Sequence, residues 1–293
     1  MYPALSFIGG DLRSIQMAEL FASRGASVCA YGLDLPLSEE YNVSRALSLR
    51  EAVAFGETLL LPLPVCAEKG RVNAPLCKNV IPADDLLALI RPEQLVIGGK
   101  FPADMLETLE ERGVRCVDFA RREDFAVANA VPTAEGALAL AMEALPVTLH
   151  GARVLITGFG RIGRILAADL RALGAHVTAA ARSSRDLAWA EAEGVRAVRL
   201  PSEALMQAAA DSALVINTVP FAVLDAALLA ALPHDAVVID LASRPGGVDF
   251  AAAEKMNIKT IWALSLPGKV APVTAARIMA TTVERILSEE GGA

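Results

Sequence analysis

The residues whose types and spacing point most directly to chemistry are Gly158-Phe159-Gly160-Arg161-Ile162-Gly163. An apolar run, Val154-Leu155-Ile156-Thr157, precedes them, and residues 162–173 have helical periodicity. Strand, glycine turn and helix start therefore follow in order, as a dinucleotide site requires. Gly158 permits the tight turn, Gly160 lets the backbone approach a pyrophosphate, and Gly163 lets helix and strand pack closely. The phosphates would rest on the unpaired N–H groups and positive dipole of the helix start. The bland alternative is a structural strand-turn-helix unit.

A second strand follows at residues 176–181, and its end bears on which dinucleotide is bound. NAD enzymes place an Asp or Glu about 20 residues past the glycines to bond the ribose 2′-OH. Here the run is Ala181-Arg182-Ser183-Ser184-Arg185, without the acid. Arg182 would stack on adenine and face a 2′-phosphate, because guanidinium matches phosphate geometry. Ser183, Ser184 and Arg185 add donors, so the cofactor expected is NADP. A solvated loop with Asp186 as a late ribose acid is the competing reading. Two later strand ends, Asn217-Thr218-Val219-Pro220 and Asp240-Leu241-Ala242, are expected to border the cofactor cleft.

The elements that position these residues are those of an α/β protein with two doubly wound domains. A flavodoxin- or Rossmann-like domain is expected over residues 1–130, a connecting helix over 131–148, and a Rossmann domain over 149–268. The first domain opens with strand, helix and strand at residues 4–8, 12–24 and 27–31. Its turn, Gly9-Gly10-Asp11-Leu12-Arg13, lacks the GxGxxG pattern, and Asp11 would repel a phosphate at the helix start. Further strands are expected at 58–61, 95–98 and 115–118, with helices at 82–90 and 103–113. The connecting helix is expected to begin at Pro132, with Thr133 as cap or first-turn residue. Strands of the second domain are expected around Val154, Val177, Ala197, Leu214, Val237 and Thr260. A last helix within 270–290 places Ile278, Met279, Val283, Ile286 and Leu287 on one face and should return to the first domain. Residues 291–293 read as a loose end.

Composition narrows the function classes. The chain has 293 residues, 54% of them hydrophobic, and a net charge of −7. The apolar excess suits buried parallel sheets under alanine-rich helices, and the acidic balance argues against a nucleic-acid partner. No uninterrupted apolar stretch reaches the roughly 18 residues of a spanning helix, since Glu143 and Asp225 interrupt the best candidates. Gly9-Gly10-Asp11 cuts short the N-terminal apolar run, which also lacks a basic start, so no signal peptide is expected. Cys29, Cys66, Cys77 and Cys116 show no CxxC spacing and read as reduced thiols of a cytoplasmic protein, with no metal site.

Four stretches together resemble the A subunits of dipicolinate synthase from spore-forming bacteria. They are Ile8-Gly-Gly-Asp-Leu-Arg13 with Tyr31-Gly-Leu-Asp34; Pro132-Thr-Ala-Glu-Gly-Ala137; the glycine turn with Ala181-Arg182; and Leu266-Pro-Gly-Lys-Val-Ala-Pro272. The resemblance spans the chain and is weakest over residues 39–78. It implies an NADP-binding, two-domain α/β protein that oxidises dihydrodipicolinate to dipicolinate. It also implies partnership with a flavoprotein-like B subunit, and the mother-cell cytoplasm of a sporulating bacterium as the location. A homo-oligomer is expected.

His150, His176 and His234 each precede a strand of the second domain and so lie away from the cleft. Histidine-dependent 2-hydroxy-acid and alanine dehydrogenase mechanisms lose weight for that reason. Oxidising a dihydropyridine creates an aromatic ring, so the site need only hold two carboxylates, aim one C–H and accept one proton. Arg13 and Lys269 are the candidates for holding the carboxylates, with Arg244 beside them. Asp11 is the first candidate base and Glu135 the second, each with a cap or surface ion pair as its bland alternative. Competing readings are another NADP-dependent imino- or keto-acid oxidoreductase, and a non-catalytic nucleotide-binding scaffold.

Overall fold

A computed structural model describes residues 2–36, 38 and 40–290, so the end expected to be loose lies outside the described residues. The chain divides into two units, residues 1–129 with 271–293, and residues 130–270.

The first unit runs β1 (Leu5–Ile8), α1 (Leu12–Ser23), β2 (Val28–Tyr31), β3 (Val43–Arg45), α2 (Leu49–Phe55), β4 (Thr58–Leu60), α3 (Ala83–Leu89), β5 (Leu95–Gly98), α4 (Ala103–Glu111) and β6 (Arg115–Asp118). The six strands are parallel in the order β3-β2-β1-β4-β5-β6. That is the Rossmann order rather than the flavodoxin one. Strand β3 and helix α2 are additions to the elements expected from the sequence. The capping signal for α2 is local: the Ser48 hydroxyl accepts from the Glu51 amide at 3.1 Å, and Glu51 accepts from the Leu47 amide at 2.7 Å.

The crevice of this first sheet is filled by its own chain. Gly9 (φ +70°) and Gly10 (φ +119°) follow β1, and the Gly10 amide donates to the Asn73 carbonyl at 2.9 Å. A Cβ on Gly9 would lie 3.1 Å from Val72 Cγ1 and 3.2 Å from the Asn73 carbonyl oxygen. After β2, a Cβ on Gly32 would lie 2.8 Å from Ile81 Cδ1. The Lys78 amide donates to Asp34 Oδ2 at 2.7 Å. These glycines serve close approach of a loop, not of a phosphate.

The last helix, α12 (Pro272–Glu290), packs beside α1 in the same unit. Its Ala276, Met279, Ala280, Val283 and Ile286 are buried with Ile15, Ala18 and Phe21 of α1, while Ile278 and Leu287 pack at the margin. The spacing in the sequence therefore gives the buried face. Ion pairs add to it. Glu284 accepts from Tyr2 and from Arg24, each at 2.5 Å, and Arg122 donates to Glu289 at 2.7 and 2.9 Å.

The connecting helix is a correction. Helix α5 spans Glu123–Ala144, with Pro132 inside it and Glu123 and Asp124 in its first turn. Thr133 is buried mid-helix and caps nothing at its start. Pro132, expected as the helix start, leaves the carbonyl one turn earlier without its amide, a defect a long helix packed in a core tolerates. By length and mean hydropathy of 1.3, α5 would suffice to cross a membrane. Its Ala134, Ala137 and Ala141 are instead fully buried in the core of the second unit.

That unit continues β7 (Arg153–Thr157), α6 (Arg161–Ala172), β8 (His176–Ala181), α7 (Ser184–Ala192), β9 (Arg196–Arg199), α8 (Glu203–Ala210), β10 (Leu214–Asn217), α9 (Ala226–Ala230), β11 (Val237–Asp240), α10 (Phe250–Lys255), β12 (Lys259–Trp262) and α11 (Leu266–Val270). Its parallel order, β12-β11-β10-β7-β8-β9, is again the Rossmann order. The topological switch falls between β7 and β10, beside the glycine turn. The Pro267-Gly268-Lys269 segment forms the short helix α11. It lies against α5, where a Cβ on Gly136 would be 3.0 Å from Leu266 Cβ.

Hydrogen bonds from Arg122 foremost, and from Arg285, hold the Asp124 carboxyl well below the usual aspartate range. The folded state thus favours its carboxylate, and that stabilisation is present above about pH 4 and lost as pH falls toward the folded value. Asp124→Asn should cost about 0.5–1 kcal/mol at pH 7, the scale of a partly exposed pair. The gap to the unsubstituted protein should narrow below about pH 3. Urea unfolding at both pH values checks this; an equal gap at both would contradict it.

Candidate functional site

The glycine turn of the second unit has the geometry its spacing predicts. Gly158 has φ +95°, and its amide donates to the Ala180 carbonyl at 2.8 Å. A Cβ there would strike the Thr218 hydroxyl and lie 2.9 Å from Val219 Cγ2. A Cβ on Gly163 would strike the Gly158 carbonyl oxygen and lie 3.6 Å from Ile156 Cγ2, so α6 sits against β7 only because residue 163 has no side chain. Gly160 differs. It is the N-cap of α6 without a side-chain cap, and no heavy atom of the described residues lies within 4 Å of a Cβ built on it. That open ground before a helix start fits a pyrophosphate. Arg161 is exposed at the first helical position, and Ile162 packs on the core. The Phe159 side chain is 2% exposed within the core, which leaves its backbone to face the glycine turn.

In the loop after β8, Ser183 caps α7, its hydroxyl accepting from the Arg185 amide at 3.2 Å. Asp186, the alternative ribose acid, pairs with Arg185 at 3.2 Å. The Arg182 guanidinium lies over the Phe221 ring, 4.2 Å from its centroid. Phe221 follows β10 and is 45% exposed, so this stack spans the mouth of the crevice. Sequence reasoning missed Phe221. It also missed Arg199, the last residue of β9, which donates to the Arg182 carbonyl at 3.0 Å and to Ser184 Oγ at 3.3 Å. The strand around residue 197 is legible in the sequence, but the register that brings its end beside Ala181 is not.

Two of the residues expected to border the cleft have buried side chains. Thr157, Asn217 and Asp240 share one rung of the sheet and are all fully buried. Asn217 Oδ1 accepts from Thr157 Oγ1 at 2.6 Å and from the Val219 amide at 3.1 Å. Asn217 Nδ2 donates to the Val219 carbonyl at 2.9 Å and to Asp240 Oδ1 at 2.8 Å. Asp240 also accepts from the Ala242 amide at 3.0 Å and the Gly247 amide at 2.8 Å. The side chains of Asn217 and Asp240 thus hold the loops that follow them. Thr218, Val219, Pro220 and Leu241 line those loops with partial or full exposure, and Ala242 is buried, its carbonyl accepting from Trp262 Nε1 at 3.0 Å.

The residues expected to handle substrate belong to both units. In the first unit, Asp11 and Arg13 form one ion pair at 2.7 Å at the carboxyl end of β1. Asp11 caps α1, and both its oxygens accept from Arg13. Arg13 is 7% exposed and also donates to the Leu63 carbonyl at 2.7 Å. In the second unit, Glu135 is exposed on α5. Burial foremost, and then repulsion from Glu135, pushes the carboxyl of Asp169 on α6 above its ordinary range. Asp169 lies two turns beyond the glycine turn, so Glu135 sits over the far part of that helix. Arg244 is exposed after β11, its guanidinium 5.6 Å from the Trp262 ring centroid, and Lys269 is exposed on α11. His150, His176 and His234 are all exposed, and His176 opens β8 at the end opposite the glycine turn.

The strand order, the switch point and the open glycine turn define a dehydrogenase-type oxidoreductase with a nicotinamide-dinucleotide domain. Residues 129–256 match the family described as D-isomer specific 2-hydroxyacid dehydrogenase, NAD binding domain. Residues 4–120 match the N-terminal domain of the dipicolinate synthase A subunit. The chain is 32% identical to the dipicolinate synthase A subunit of Bacillus subtilis (strain 168), over 97% of this chain and 96% of that protein. It belongs to the family of dipicolinate synthase A subunits. Crystal structures of two members are similar throughout. That from Bacillus halodurans has a TM-score of 0.88 and 31% identity over 97% of each chain. That from Bacillus subtilis has a TM-score of 0.87 and 29% identity, over 99% of this chain and 97% of that one.

Gly160→Ala should fold with an unchanged melting temperature, because its Cβ meets nothing, yet weaken dinucleotide binding at least about tenfold. Gly163→Ala should instead lose about 1–3 kcal/mol of stability by overpacking α6 on β7. Calorimetry and nucleotide titration of both variants check this. Equal nucleotide affinity in Gly160→Ala and the unsubstituted protein would contradict it.

Proposed function

We propose that this chain is the NADP-dependent catalytic subunit that oxidises dihydrodipicolinate to dipicolinate. The observation that carries the cofactor choice is the ribose end. Arg182, Ser184 and Arg199 cluster there, and the nearby carboxylate, Asp186, is already paired. An NAD site offers an acid to the ribose 2′-OH instead. Whole-length membership of the family supports the choice of substrate.

Held at the glycine turn, NADP would supply a hydride acceptor for one ring C–H, and the proton released as the ring becomes aromatic would pass to a carboxylate base, for which Asp11 is the first candidate and Glu135 the second. The chain's own contribution is placement. Gly160 and the start of α6 would seat the pyrophosphate, and the loops held by Asn217 and Asp240 would wall the cleft. Asp11 orients Arg13, and Arg13 offers its remaining N–H groups to a substrate carboxylate. Among the exposed cations of the second unit, Arg244 follows a strand's carboxyl end and is its candidate carboxylate holder, with Lys269 second. The resemblance to the family adds partnership with a flavoprotein-like B subunit, within the cytoplasm of a sporulating mother cell.

The test follows nucleotide reduction by the purified chain, alone and with a B subunit, on substrate made in situ from pyruvate and aspartate semialdehyde. NADPH should appear with dipicolinate, faster than NADH in parallel. NADP binding without turnover in every arrangement would overturn the proposal. Arg13→Ala should raise the substrate KM about tenfold or more, as loss of a charge-assisted contact does, with NADP affinity unchanged. Unchanged kinetics would remove Arg13 from the substrate site.

A further inference from the structure

We infer that Arg199 completes a subsite for the 2′-phosphate of the adenosine ribose, together with Arg182 and Ser184. This assignment rests on the NADP reading and deepens it. Arg199 ends β9 in register with Ala181, the last residue of β8, so its side chain leaves the sheet where the ribose loop begins. Its two terminal nitrogens reach the Arg182 carbonyl at 3.0 Å and Ser184 Oγ at 3.3 Å. A guanidinium has five N–H donors, so others remain for a ligand. Ser184, accepting from Arg199, keeps its own hydroxyl proton to donate. Ser184 is also the first residue of α7, whose positive end favours an anion.

Charge balance points the same way. Arg182, Arg185 and Arg199 gather on this loop, and Asp186 neutralises one of them, Arg185. Two exposed arginines are thus left on and beside one short loop in a chain whose net charge is −7. Holding like charges in one place is unfavourable unless an anion joins them. A phosphate monoester carries a charge of roughly −1.5 to −2 at neutral pH, which matches that excess. The ribose hydroxyl of NAD carries none. A purely structural Arg199, tying the loop to β9, would serve both nucleotides equally, and that difference makes the idea testable.

The probes are adenosine 2′,5′-bisphosphate and 5′-AMP, titrated calorimetrically into the full chain. Arg199→Gln removes the charge and keeps a donor for the loop, and Arg199→Lys keeps the charge. With Arg199→Gln the bisphosphate should bind about tenfold or more weakly, the scale of one charge-assisted contact. 5′-AMP should stay within about twofold. Arg199→Lys should recover part of the loss. Equal weakening of both probes would make Arg199 a loop tie, and no change would place it outside the subsite; either overturns the inference. If the unsubstituted protein itself bound both probes alike, the NADP reading would fail first, independently of Arg199. Urea unfolding of each variant separates loss of binding from loss of fold.

Discussion

The geometry of the nucleotide cleft depends on one buried polar rung. Thr157, Asn217 and Asp240 lie side by side on β7, β10 and β11 at their carboxyl ends, without access to water. Buried polar groups must find partners or cost stability, so Asn217 bonds both its neighbours, and Asn217 and Asp240 bond the backbone leaving β10 and β11. The consequences spread outward. Asn217 holds both backbone groups of Val219, and Asp240 gathers the amides of Ala242 and Gly247. Gly246 and Gly247 then pass so close to Asp240 and Asn217 that neither site has room for a Cβ. Gly158 turns against Thr218 for the same reason. The loops that follow β10 and β11 are therefore set from beneath, by buried side chains.

The two units use one strand order to opposite ends. In the second, the place beside the switch point is left open over Gly160, and α6 begins there without a side-chain cap. In the first, the equivalent place is taken by residues 72–81, which bond to Gly10 and Asp34 and press on Gly9 and Gly32. Asp11 meanwhile caps α1 and engages Arg13, so the helix start that would attract a phosphate is already served. Positive-φ glycines after a first strand thus mean different things in the two units. The spacing to the third glycine and the company of the next loop decide which.

Much of the fold was legible because parallel sheets bury whole strands and helices bury stripes. The runs at residues 95–98 and 115–118 read as strands with their observed ends. The face of α12 was readable from the spacing of Met279, Val283 and Ile286. What failed had local causes. Pro132 resembles a helix start, yet α5 begins at Glu123 because an acidic first turn starts it and core packing carries it past the proline. Strand β3 is short and partly exposed, with too few apolar residues to stand out. Asn217 and Asp240 sit where ligand residues sit in the chain, but their side chains lie one layer below.

The sequence by itself determined the class of site: a GxGxxG turn between strand and helix, and a following loop with arginine in place of an acid. Those features act through backbone conformation and charge within a few residues, and so can be read along the chain. Only the tertiary structure decided which polar residues face a ligand and which support the wall. It alone brought Arg199 to the loop after β8, Phe221 under Arg182, and Asp11 onto Arg13. The reason is register: parallel pairing sets residues from distant segments on one rung, and no local pattern carries that alignment.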